Sequence, residues 1–179
     1  ITTVPGNGPL DAVTDNMLKV FDHLGVTDIP VVRGIAKPFK GPCHHPVRVH
    51  GYTGLDGPLF PFAVQKAMDI NVCDFYRDVI TSSPEKVTII ALGPLTNVAA
   101  ALLAQPEIKG NIERIALMGG SASGGNSTPT AEFNFWHDAE SAAIVFQSGI
   151  PILMCGLDVT LKAYLSLDEI EQLRSIGTR

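Results

Sequence analysis

Apolar positions along the chain follow two different spacings. In "LDAVTDNMLKVFDHLG" the apolar residues from Val13 to Leu24 recur at helical spacing, and Gly25 ends the run. Three other runs, "VTIIAL", "RIALM" and "PILMC", are short and apolar throughout, which is typical of strands in a parallel sheet covered on both faces. The spacing therefore predicts helices and strands in the same chain.

These predicted elements alternate over the whole sequence. Strands are expected in "ITTV", "IPVVRG", "VTIIAL", "RIALMGG" and "PILMCG", and helices in the segments between and after them. The last helix, in "SLDEIEQLRSIG", has Ser166 as its expected N-cap and Glu169 three residues later. We therefore expect one α/β domain over residues 1–179, with an open, mostly parallel, Rossmann-like central sheet and flanking helices.

In such a fold ligands bind beyond the carboxyl ends of the strands, so the residues that follow each strand are candidates for function. These are Asn7, "GPLTN", "GGSASGGNS" and "GLDVT". Residues 37–61, rich in Pro, Gly and His, lack periodicity, and an irregular stretch of this length inside a domain is usually functional. Asp158 in "GLDVT" is either a ligand or a turn or cap residue.

Composition and charge narrow the range of possible functions. The chain has 179 residues, is 45% hydrophobic and carries a formal net charge of −5 with scattered basic residues, which argues against a nucleic-acid partner. No apolar run is long enough to cross a membrane. The three cysteines show no metal-binding spacing, so we expect reduced thiols in a cytoplasmic protein. "ITTV" begins without a preceding turn, as though an amino-terminal piece were missing.

The stretch "GGSASGGNSTPTAEFNFWHD" resembles a phosphate-binding loop but lacks its essential parts. Asn126 stands where such a loop needs Lys, and Pro129 opposes the immediate helix that would face the phosphates. If "EFNFW" is extended, Glu132 and Asn134 point to one side, and together with Asn126 they suit the vicinal hydroxyls of a sugar. The alternative is that both Asn residues only stabilise a Gly-rich turn.

Five ordered motifs carry a closer resemblance: "ITTVPGN", "VHGYTGLDG", "ALGPLTNVAAAL", "MGGSASGGNSTPTAEFNFWHDAESA" and "GLDVT". Together they resemble the inosine-uridine-preferring nucleoside hydrolases, which are calcium-dependent N-ribohydrolases. The resemblance implies hydrolysis of the N-glycosidic bond of ribonucleosides to ribose and free base in nucleoside salvage. It also implies a small-molecule substrate, a Ca²⁺ cofactor and a homodimer or homotetramer.

The resemblance also implies roles for individual residues. His50 and Asn134 would be catalytic, with His50 near the base and leaving group, and the backbone carbonyl of Thr96 would bind calcium. The ribose would be bound by six residues: Asn7, Met118, Asn126, Glu132, Phe133 and Asn134. Asp138 is expected to be a helix N-cap.

Simpler structural explanations exist for His50 and for two further pairs of candidate residues. The alternative for His50 is a loop histidine without a catalytic role, whose hydrogen bonds are made to backbone groups. His44 and His45 invite a metal site, although neighbouring side chains rarely converge on one ion. Phe60 and Phe62 either cover a base or form a small apolar cluster of their own.

The family's amino-terminal D-x-D-x-G-x-D-D cluster and carboxyl-terminal His-Asp pair are absent from these residues. We therefore expect the sequence to be an incomplete, central part of a longer single-domain enzyme, active if the flanking Asp motifs exist. The alternative is a non-catalytic fragment or pseudoenzyme that binds ribose or nucleosides.

Overall fold

The strands of the computed structural model, which describes residues 1–57 and 59–177, all pair in parallel. They are β1 (Thr2–Thr3), β2 (Val32–Arg33), β3 (Val87–Ala91), β4 (Ile112–Met118) and β5 (Ile152–Cys155). The α-helices are α1 (Leu10–Leu24), α2 (Val47–His50), α3 (Val72–Ser82), α4 (Thr96–Ala104), α5 (Phe133–His137), α6 (Ala139–Phe146), α7 (Leu157–Thr160) and α8 (Leu167–Ser175). A 3₁₀ helix spans Pro106–Asn111. The predicted α/β class is confirmed.

The strands form two parallel sheets, where a single central sheet was expected. One sheet has the order β1-β2 and the other β3-β4-β5. Asn97 in α4 connects the smaller sheet to the larger layer, because its amide donates to the Thr3 carbonyl at 2.9 Å and accepts from the Ile35 N–H at 2.9 Å. Asn97 thereby holds the carboxyl ends of β1 and β3 together, although these two strands share no ladder of backbone hydrogen bonds.

The main core lies between the larger sheet and helices α3, α4 and α6. Ile115 on β4, Ala99 on α4 and Val145 on α6 are completely buried there. Each fully buried aliphatic side chain of the size of Val or Ile contributes roughly 1.5–3 kcal/mol. The sequence of α4, "TNVAAALLA", is apolar on most of its circumference because the helix is covered on several sides.

Local signals at two helix ends are confirmed. Gly25 ends α1 in the left-handed conformation with φ of 68°, which a residue with a side chain rarely adopts. Ser166 and Glu169 form the expected capping box at the start of α8. No helix among residues 1–57 and 59–177 is long and apolar enough to span a membrane.

Candidate functional site

A cavity of about 340 Å³ opens at the carboxyl ends of β1, β3 and β4. It is lined by Asn7, Pro46, Val49, His50, Leu92, Met118, Asn126, Ser127, Glu132, Phe133 and Asn134. The structure thus brings together, from distant parts of the sequence, every residue named above for ribose binding and catalysis. Its position agrees with the rule that ligands of parallel α/β folds bind beyond the strand ends.

The segment after the Gly-rich loop is helical, and the expectation of an extended "EFNFW" is wrong. Glu132 is the N-cap of α5, and its carboxylate accepts the N–H groups of Asn134 at 3.0 Å and Phe135 at 3.2 Å. These bonds satisfy backbone donors that a helix start leaves free, so they favour a helical turn over a strand. Phe133 and Asn134 still both reach the cavity, while Phe135 packs on the core.

Glu132 also fixes the Gly-rich loop. Its second oxygen accepts the Gly120 N–H at 2.9 Å, and the side chain is only 3% exposed. Gly120 has φ of 65°, and a Cβ on Gly119 would lie 2.3 Å from the Phe135 ring, so the loop needs glycine at both positions. Both carboxylate oxygens of Glu132 therefore already hold backbone groups.

The two cavity amides present different groups to a ligand. Asn126 accepts the Phe133 N–H through its oxygen at 2.8 Å, which leaves its NH₂ group as the donor. Asn134 uses its NH₂ group on the Met118 carbonyl at 3.0 Å, and its oxygen accepts no hydrogen bond from the described residues. One amide donor and one amide acceptor in the same cavity match hydroxyl groups, which both donate and accept.

One wall of the cavity comes from the irregular region. Pro46, Val49 and His50 belong to residues 37–50, here called the wall segment, which ends in the short helix α2. His45 Nδ1 lies 3.1 Å from the Gly6 carbonyl, next to Asn7. The sequence did not identify Pro46 and Val49, because no local pattern shows which residues of an irregular region line a cavity.

Thr96 is not among the residues that line the cavity. It is 2% exposed in the first turn of α4, and its hydroxyl donates to Asp138 at 2.6 Å. Leu92, the residue directly after β3, lines the cavity instead, and its carbonyl lies 3.5 Å from the Asn134 amide nitrogen. Its place just after an apolar strand was the sequence signal for it.

The remaining candidates have structural partners. His44 stacks on Trp136 with ring centres 4.2 Å apart, and Phe60 packs edge-on against His23. Asp158 accepts the Ala122 N–H at 3.0 Å, which lowers the pKa of its carboxyl. Within residues 1–57 and 59–177 no group of three or more His, Cys, Asp or Glu side chains could hold a metal ion.

His137, at the end of α5, is a buried histidine that the sequence did not single out. It is 2% exposed, and neither ring nitrogen finds a hydrogen-bond partner among the described residues. Burial, and then the neighbouring His45 and His44, lower the pKa of its imidazole, with Asp138 and the nearby His44 backbone acting in the opposite direction. The folded protein therefore favours the neutral ring.

This lowered pKa predicts that acid destabilises the protein. Below the ordinary histidine pKa of about 6.5 the unfolded chain takes up a proton that folded His137 resists, so stability is lost as pH falls through that range. The contribution of one proton cannot exceed about 1.4 kcal/mol per pH unit. Urea unfolding at pH 7 and pH 5.5 should show a smaller pH dependence in His137→Leu. An unchanged dependence would contradict the prediction.

Comparison with known proteins places this chain in a family. The profile of the "Inosine-uridine preferring nucleoside hydrolase" family matches residues 1–179. The chain belongs to this family. It is 44% identical over 177 residues to the pyrimidine-specific ribonucleoside hydrolase RihA of Shewanella sp. (strain ANA-3), covering 99% of this chain and 56% of that protein. It is also 44% identical over 177 residues to the non-specific ribonucleoside hydrolase RihC of Salmonella paratyphi B, covering 99% and 58%.

Solved structures of family members show the same fold. The purine-preferring ribonucleoside hydrolase from Gardnerella vaginalis superimposes with a TM-score of 0.93 at 34% identity, covering 100% of this chain and 58% of that one. A plant nucleoside hydrolase, PpNRh1, superimposes with a TM-score of 0.88 at 33% identity, covering 96% and 55%. The chain thus spans a little over half the length of the relatives it matches.

Proposed function

We propose that the protein hydrolyses the N-glycosidic bond of ribonucleosides, giving ribose and free base. The observation that carries this proposal is the cavity itself, where Asn7, Asn126 and Asn134 converge with Met118 and Phe133. Amides suit sugar hydroxyls, and an apolar ring and thioether suit the carbon face of a ribose. Membership of the family supports the same reaction.

Each cavity group has a distinct task in this proposal. The Asn134 oxygen, which accepts no hydrogen bond from the described residues, accepts one from a ribose hydroxyl, and the NH₂ group of Asn126 donates to another hydroxyl. Holding the hydroxyls in fixed directions places the anomeric carbon for attack by water. His50, at the end of α2, lines the wall that we assign to the base, where its imidazole can act as the general acid for the departing base.

Calcium stays a prediction of the resemblance. Glu132 is the only carboxylate among the cavity residues, and both of its oxygens already accept backbone N–H groups. A Ca²⁺ ion takes six to eight oxygen ligands, so the described residues do not by themselves make a calcium site.

The relatives differ in the base they accept: one is named pyrimidine-specific, one non-specific and one purine-preferring. We therefore propose a ribonucleoside as substrate and name no preferred base. A homodimer or homotetramer is likewise a proposal, which sedimentation of the purified protein would test.

The reaction is tested by ribose release. Protein expressed from the full-length gene is incubated with uridine or inosine, first with calcium and then with a chelator, and ribose and free base are quantified. We expect equal amounts of ribose and base, and loss of release with the chelator if calcium takes part. Nucleoside binding without release from either substrate would overturn the proposal in favour of a non-catalytic binder.

A further inference from the structure

Helix α5 contacts two different parts of the site. Phe133 and Asn134, in its first turn, line the cavity. Its last turn instead contacts the wall segment, where the Trp136 ring stacks on His44 at 4.2 Å. The same short helix therefore connects the amides of the cavity with the segment that forms one of its walls.

The residue directly after α5, Asp138, makes more contacts than a helix cap requires. Its Oδ1 accepts the Ser141 N–H at 3.2 Å, which is the N-cap bond of α6. Its Oδ2 accepts the Thr96 hydroxyl at 2.6 Å and the Phe39 N–H at 3.2 Å. Capping needs one oxygen, and Asn caps a helix as well as Asp does.

The second oxygen of Asp138 thus links elements that are far apart in sequence. Phe39 lies near the start of the wall segment, 99 residues before Asp138, and Thr96 begins α4, just after the strand-end loop that contains Leu92. Asp138 is 1% exposed, and a buried carboxylate is tolerated only when hydrogen bonds satisfy its charge. These bonds are therefore persistent features of the fold.

We propose that Asp138 is a positioning residue that fastens the wall segment and so sets where Val49 and His50 meet the base of a bound nucleoside. The substrate part of this proposal rests on the proposed function. Asp138 itself is not among the residues that line the cavity and acts through the Phe39 N–H. Loss of this anchor should make Val49 and His50, on the base side of the cavity, more mobile. Asn126 and Asn134, on the ribose side, should keep their positions.

The Asp138→Asn variant distinguishes the role of Asp138 in holding the wall segment from its role as the N-cap of α6. The amide oxygen can keep the Ser141 cap, and the Thr96 hydroxyl can rotate to accept from the new NH₂ group, so the Phe39 N–H alone loses its acceptor. Ser141→Ala is the matched control. It removes the hydrogen bond from the Ser141 hydroxyl to the Asp138 carbonyl at 2.8 Å, equally buried, and leaves the carboxylate contacts unchanged.

Two measurements test the proposal. Amide hydrogen exchange at Phe39 should become about tenfold faster or more in Asp138→Asn, because a hydrogen bond to a charged acceptor is lost, and should stay unchanged in Ser141→Ala. The KM for nucleosides should rise about tenfold in Asp138→Asn, while inhibition by free ribose changes less than twofold. A purely structural role would lower the fraction of active protein and leave KM unchanged.

A second variant keeps the test decisive if Asp138→Asn does not fold. Phe39→Pro removes the N–H donor from the other partner, and Phe39 is 45% exposed, so no core side chain is lost. The same rise in KM is expected. An unchanged KM in Phe39→Pro would overturn the proposal. In Asp138→Asn, unchanged exchange at Phe39, or faster exchange with unchanged KM, would also overturn it. A wild-type protein that releases no ribose would instead overturn the proposed function, and exchange at Phe39 would still decide whether Asp138 holds the segment.

Discussion

Asn134→Ala is expected to lower kcat/KM for nucleoside hydrolysis about a hundredfold or more. The substitution removes an amide that lines the cavity and whose oxygen accepts no hydrogen bond from the described residues. The loss of one oriented group that binds the reacting centre typically costs a factor of this size. Ribose and base release from uridine and inosine would be measured with wild-type and variant protein at equal concentration of folded protein.

The same substitution also has a cost in stability, because Asn134 is 8% exposed and its NH₂ group donates to the Met118 carbonyl. Leaving that carbonyl without its side-chain donor costs about 1–3 kcal/mol. Asn111→Ala, at an exposed position at the end of the 3₁₀ helix, is the matched control and should leave kcat/KM unchanged. Equal activity of wild type and Asn134→Ala would remove Asn134 from the proposed mechanism.

Glu132→Gln is expected to destabilise the fold by about 3 kcal/mol, since both carboxylate oxygens accept backbone N–H groups and a glutamine has only one oxygen. In either orientation of the amide, its NH₂ group would face at least one buried N–H. Urea unfolding measures this loss. Glu140→Gln, the same change at an exposed position in the first turn of α6, should stay within about 0.5 kcal/mol of wild type.

Glu132→Gln also distinguishes two roles for this residue. The sequence predicts Glu132 as a ribose ligand, whereas its three backbone contacts make it the support that holds Gly120 beside α5. If Glu132 acts as a support, Glu132→Gln should lower the stability of the fold and the affinity for ribose together. A variant that loses ribose affinity at full stability would show that Glu132 binds the sugar directly and that its backbone contacts contribute little.

The helices and strands were predictable because their signals are local. Gly25 at the end of α1 and the Ser166–Glu169 capping box act on their own turns, and the β-branched residues of runs such as "VTIIAL" favour strands locally. The "EFNFW" segment was not predictable in this way. Its helix depends on Glu132, whose orientation is fixed partly by the Gly120 N–H twelve residues earlier.

Motifs in the sequence located most of the candidate site but not the connections within it. Asn126 and Asn134 are recognisable by type and spacing, and Leu92 follows an apolar strand. The bond between Phe39 and Asp138 joins residues 99 positions apart, which no periodic pattern records. The place of Val49 at the cavity likewise depends on the tertiary contacts of the wall segment, at His45 and Phe39.

The proposed function requires that this cavity hold a ribose between its amides. The most direct test is a crystal structure of the full-length protein with a C-nucleoside, whose carbon–carbon bond to the base cannot be hydrolysed. We predict the sugar hydroxyls within hydrogen-bond distance of Asn126 and the Asn134 oxygen, and the base against Val49 and His50. A sugar bound elsewhere, or a nucleoside bound with its base between the amides, would contradict the account.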